Sequence, residues 1–163
     1  MTNPPWTVDL SPGECVIAAT IAANRQVANR EANVQNLQGG PQSRMTTELV
    51  GVFGEMGVAR MLNCYPDMTT HLRRGGADLT IGDLSVDVKT TRLSTGDLRV
   101  DARPDKHSDV YVLAVSNWAT ITAVGYATTV DLQERFAVPG GWVIPQRALR
   151  PMDTLRALHK ATR

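Results

Sequence analysis

Gly75-Gly76-Ala77-Asp78-Leu79-Thr80-Ile81-Gly82-Asp83-Leu84-Ser85-Val86-Asp87-Val88-Lys89 is the stretch that decides the architecture of this chain. Its apolar residues recur at every second position, the period of a strand with one face buried. Gly82-Asp83 interrupts the alternation with residues suited to a tight turn. The stretch therefore predicts a hairpin, with a short strand over Ala77 to Ile81 and a longer one over Leu84 to Arg92. Asp87 and Lys89 are two apart on the second strand, so their side chains leave the same face. Asp78, on the first strand, can reach that face near its end. Two carboxylates from adjacent strands with an ammonium beside them suit a hard cation. Mg²⁺ takes oxygen ligands in an octahedron and keeps several waters, and Mn²⁺ is expected to substitute.

Working back from the hairpin, Asn63 to Gly76 is rich in turn residues, and a helix is expected from about Thr46 or Thr47 to Leu62. Leu49, Val52, Phe53, Met56 and Arg60 fall near a 3.6-residue period, which assigns that face to the core. Gly51, Gly54 and Gly57 recur at three-residue intervals in this helix. Each costs about 1 kcal/mol relative to alanine, so close approach of another backbone is expected there. Further upstream, Ser11-Pro12-Gly13-Glu14 carries a capping residue, a proline suited to the first turn and a capping-box glutamate. The helix it starts is expected to run to Gln38, before Gly39-Gly40-Pro41, with its polar later half from Arg25 on the surface.

Working forward, Leu98–Asp101, Asp109–Ser116 and Thr120–Ala127 read as strands. Val130–Phe136 reads as a short helix, Trp142–Ile144 as an edge strand and Pro151–Lys160 as a terminal helix. The elements together predict one α/β domain with a central mixed sheet flanked by helices. Residues 11–38 form an N-terminal helical extension, 46–150 the core and 151–163 a C-terminal helix.

Seventeen basic and sixteen acidic side chains in 163 residues leave a formal charge of +1. Attraction of the whole surface to a polyanion is thereby excluded, and such binding must come from a local cluster. Arg73-Arg74 just before the hairpin and Arg92 after it, with Lys106 further on beyond Arg99 and Arg103, are the basic residues expected to meet phosphate. Cys15 and Cys64 stand in apolar runs without zinc-like spacing and read as buried thiols. The Trp residues, Trp6, Trp118 and Trp142, read as core or edge packing. No segment has the length of a membrane span, and Met1 to Asp9 lacks an apolar signal core, which makes a cytoplasmic protein with no membrane partner the expectation.

The order of an acidic residue, a short hairpin and then Asp-x-Lys resembles the PD-(D/E)XK nuclease superfamily, and small phage-encoded members in particular. Here the motif reads Asp78, then Asp87-Val88-Lys89, with Ala77 where the family often has proline. Val124-Gly125-Tyr126-Ala127 and Val143-Ile144-Pro145 extend the likeness over residues 46 to 150. The resemblance implies a restriction-endonuclease-like core and Mg²⁺-dependent hydrolysis of phosphodiester bonds, in DNA first of all. It implies Asp78, Asp87 and Lys89 as catalytic residues and the Val88 carbonyl as a further metal ligand. It also implies a glutamate from the preceding helix, Glu55, with Glu48 seven residues earlier as the alternative. Were the chain phage-encoded, its compartment would be the host cytoplasm. A rival reading keeps the fold but makes the chain an inactive nucleic-acid-binding or host-factor-binding protein, and the sequence leaves a homo-oligomer open.

Overall fold

The hairpin forms where the alternation places it. The computed structural model describes residues 6–32, 43–70, 76–102 and 107–161, with side chains as far as 157. The described residues begin with a strand β1 (Trp6–Asp9), which the sequence did not suggest, and a helix α1 (Pro12–Glu31). The Ser11/Glu14 capping box is present, Ser11 N–H donating to Glu14 Oε2 at 2.6 Å. Helix α1 stops at Glu31, with Ala32 as its C-cap, short of the expected Gln38; the segment 33–42 lies outside the described residues.

Helix α2 (Arg44–Leu62) starts two to three residues before the sequence expectation, because Ser43 supplies the cap by accepting the Thr46 N–H at 3.1 Å. The hairpin strands follow as β2 (Leu79–Ile81) and β3 (Leu84–Thr91), joined at Gly82, whose φ of +57° only glycine adopts without cost. β2 is shorter than expected because Ala77 and Asp78 lie outside the ladder. Strand β4 (Leu98–Asp101) comes next, then the hairpin of β5 (Val110–Asn117) and β6 (Thr120–Thr128). The expected helix at Val130–Phe136 is two separate 3₁₀ turns. β7 (Ala137–Val138), β8 (Gly141–Ile144) and α3 (Met152–Ala161) complete the chain.

Among the described residues five strands make one mixed sheet in the order β1-β6-β5-β3-β2, and three make a small one in the order β4-β8-β7. β8, expected at an edge, is therefore central. β3 and β5 run parallel, and the crossover between them carries β4 into the small sheet. Asp109 fixes their register: the Ser85 N–H and hydroxyl donate to its carboxylate at 2.8 and 2.7 Å and hold that carboxyl below the usual range.

Two cores result, one on each face of the large sheet. Val86, Val88, Val110, Val112 and Ala114 join Val52, Phe53, Met56 and Val58 of α2 on one face. Tyr111, Leu113 and Ala127 join Leu98, Val100 and Ile144 of the small sheet on the other. α1 packs outside α2, so α2 is buried on nearly every side from Val52 to Ala59. The expected core face was thus too narrow, and Arg60 is exposed, donating to Asp9 O at 2.8 Å. Two of the glycines explain themselves. A Cβ at Gly54 would overlap the Thr90 side chain, and one at Gly57 would stand 2.6 Å from Ile121 Cβ. Gly51 faces open space.

Candidate metal centre

Asp78 sits one residue before β2, where the ladder with β3 would continue. Its backbone N–H still donates to Val86 O at 3.0 Å. Its side chain then replaces the next backbone partner: carboxylate Oδ2 accepts the Val88 N–H at 2.7 Å. The N–H and C=O of one strand residue leave on the same side, as the paired exchange in an antiparallel ladder requires. The Val88 carbonyl thus faces the same edge as Asp78.

Asp87 and Lys89 flank Val88 and project from the opposite face to Val86, Val88 and Thr90. Their parallel partners are Tyr111 and Leu113, which belong to the core shared with the small sheet. Asp87 is 1% exposed, and Lys89 Nζ reaches its Oδ2 at 2.6 Å. The lysine itself is about one-third exposed, at 32% of its side chain. The structure therefore sets Asp87 and Lys89 on either side of Val88 in β3, with the Asp78 carboxylate on the Val88 N–H beside the end of β2.

Glu55 is not part of this group. It lies on α2, against the other face of the sheet, and is 7% exposed. Arg25 of α1 holds it, Nη1 donating to Oε1 and Oε2 at 3.1 and 3.0 Å. The same guanidinium donates to Asp67 O at 2.6 Å and to Thr69 O at 3.1 Å. Arg25 is only 5% exposed, so the expectation that α1 turns to the surface from Arg25 onward fails at its first residue. The polar sequence around Arg25 hid this, since a buried guanidinium needs a buried partner that only the tertiary structure supplies. Glu48 is half-buried near the start of α2.

Among the described residues, no three acidic, histidine or cysteine side chains are grouped to hold one metal ion. The Glu55 expected as a ligand from α2 is instead seen paired with Arg25, and Glu48 stands near the start of the helix. Two carboxylates of the hairpin region, Asp78 and Asp87, are both buried. Mg²⁺ is commonly bound through one or two carboxylates with water filling the octahedron, and Asp78, Asp87 and the Val88 carbonyl offer that set.

The Asp78 backbone is tied into the Arg25 network, since its carbonyl accepts the Asp67 N–H at 2.8 Å while the Asp67 carbonyl accepts from Arg25. Glu55 and Arg25 thus brace the chain entering the hairpin. Of the basic residues expected at a phosphate, Arg73, Arg74 and Lys106 lie outside the described residues. Arg92 follows the last residue of β3, exposed, its guanidinium 4.7 Å from the centre of the Trp118 ring. Cys15 and Cys64 are free and half-buried, and burial raises the Cys64 thiol above its ordinary value.

Comparison with protein-family models, with curated proteins and with solved structures gives no match for this chain. Among the described residues no helix is long and apolar enough to cross a membrane.

Proposed function

We propose that the chain is a cytoplasmic, metal-dependent phosphodiesterase acting on nucleic acid, DNA first of all, with its chemistry at Asp78, Asp87 and Lys89. The observation that carries the proposal is the joint placement of the two aspartates about Val88, with the Asp78 carboxylate on its N–H at 2.7 Å and Lys89 on Asp87 at 2.6 Å. A divalent cation of the Mg²⁺ type, held by Asp78, Asp87 and the Val88 carbonyl, would supply Lewis acidity, lowering the pKa of water and offsetting charge on a phosphate.

The remaining work belongs to side chains. Asp87 is buried beside Lys89, and Lys89 has part of its length in solvent. Its ammonium can turn from Asp87 to a phosphate oxygen or a water without leaving the strand. There it would position the attacking water and stabilise charge that develops during cleavage. Asp87 is 1% exposed, and exclusion of bulk water would strengthen the pull of its carboxylate on any cation.

A second reading, a nucleic-acid-binding protein that does not cleave, draws support from Glu55, which Arg25 holds on the far side of the sheet. Labelled single-stranded, duplex and RNA substrates with Mg²⁺ or Mn²⁺ separate the two. The wild type should cut at least one substrate, and Lys89→Ala should cut none while still gaining thermal stability from millimolar metal. Asp87→Asn should lose both cleavage and most of the metal-induced stabilisation, yet fold. A wild type that gains no stability from either metal and cuts nothing would leave the non-cleaving reading.

A further inference from the structure

We infer that Trp118 and Arg92 form a stacking platform for an unpaired nucleobase, so that the substrate of the proposed site is single-stranded or frayed nucleic acid. The inference rests on the nuclease reading for the class of ligand alone. Trp118 stands in the two-residue turn between β5 and β6 with φ of +53°, the left-handed region where a bulky residue is rare. A turn of this kind ordinarily takes glycine or asparagine. Ser116 holds the strained residue in place, its hydroxyl donating to Trp118 O at 2.9 Å, and the Leu10 N–H fixes the next carbonyl, Ala119 O, at 2.9 Å.

This local cost is not offset by burial, since Trp118 is 50% exposed. A strained conformation that keeps an indole in solvent points to use of the ring rather than to packing. Arg92 lies over it at 4.7 Å and adds a planar cation. An aromatic ring with a guanidinium beside it matches a nucleotide: the base stacks, and the phosphate meets the charge. Duplex DNA keeps its bases stacked inside the helix, so an unpaired base is the ligand such a ring can take.

The position along the sheet agrees. Arg92 is three residues beyond Lys89, about 10 Å at the ordinary rise of a strand. β3 and β5 run parallel, so the β5–β6 turn lies at the same end of the sheet as Arg92. A strand anchored by one base at Trp118 would pass the end of β3, from which Lys89 is reached by crossing the sheet end to the face opposite that of Thr90.

The test compares a fluorescein-labelled oligothymidylate of about 12 nucleotides with an abasic oligomer of equal length and charge. The wild type should bind the oligothymidylate about tenfold more tightly. Trp118→Gly should lose that preference while melting at the same or a higher temperature, because glycine relieves the positive φ. Trp118→Phe should keep most of the preference. Equal binding of the two oligomers by the wild type, an unchanged preference in Trp118→Gly, or a lowered melting temperature for Trp118→Gly would each overturn the platform. The nuclease reading fails separately. A wild type that prefers bases but cuts nothing keeps the platform and loses the nuclease, whereas cleavage that is indifferent to Trp118→Gly does the reverse.

Discussion

At the scale of single residues, charge inside this protein is handled by two arrangements of different exposure. Arg25 and Glu55 are both nearly inaccessible, at 5% and 9% of their side chains, and each depends on the other. Lys89 is partly in water while Asp87 is not, so the lysine can leave its partner at much lower cost. The first pair therefore suits a brace and the second a site at which something must change. Glu55→Gln should destabilise the fold by roughly 3 kcal/mol, since it leaves a buried guanidinium facing a neutral amide. If Glu55 only braces, the loss measured by denaturant unfolding is the same with and without Mg²⁺. A metal-dependent difference would return Glu55 to the ligand set.

At the scale of elements, α2 shows what sequence patterning conveys and what it omits. Its glycines predict sites where another backbone comes close; Gly54 and Gly57 are crowded instead by the side chains of Thr90 and Ile121, and Gly51 by nothing. Gly54→Ala and Gly57→Ala should each lower stability by about 1–3 kcal/mol through overpacking. Gly51→Ala has open space and should raise it by about 0.5–1 kcal/mol. Thermal melts of the three variants check both signs. The β2–β3 hairpin was legible because alternation and a glycine turn are local signals. β1 was not, because four residues after a proline-rich start acquire strand character only by pairing with β6, more than a hundred residues away. The division into two sheets was equally hidden, since β4 alternates like any other strand and its partner is chosen by tertiary packing. The positions of Asp87 and Lys89 on one strand were readable from spacing, whereas Asp78, expected on the first strand, lies just before it. Arg25 and Trp118 were not readable in that way, since one depends on a buried partner and the other on a backbone angle.

At the scale of the whole molecule, the chain is held closed at points where distant segments meet β6. Arg150 pairs with Tyr126 through backbone bonds of 3.0 and 2.8 Å and clasps Asp131 through its Nε and Nη2 at 2.7 and 2.9 Å. Arg150 holds the Asp131 carboxyl at about 2, below its ordinary value of 3.8. Because the folded value is the lower one, the pair's stabilisation is present at neutral pH and is lost as pH falls from about 4 towards 2. Solvent screening keeps it under about 1 kcal/mol. Asp131→Asn should therefore flatten the acid limb of the stability curve slightly and leave the neutral region little lower, as urea unfolding between pH 2 and 7 can show. The same large sheet ends, on its other side, at β2, which is only three residues long. Beyond it, among the described residues, the buried Val88 N–H has no strand opposite to accept it, and the Asp78 carboxylate stands in for the missing backbone carbonyl. Asp78 is thus a surrogate rung of the ladder as well as a candidate ligand. The two roles come apart by substitution: Asp78→Asn keeps an acceptor for the donor and should hold most of the stability while weakening any gain from Mg²⁺ in thermal melts. Asp78→Ala leaves a buried donor unsatisfied and should cost about 1–3 kcal/mol in denaturant unfolding.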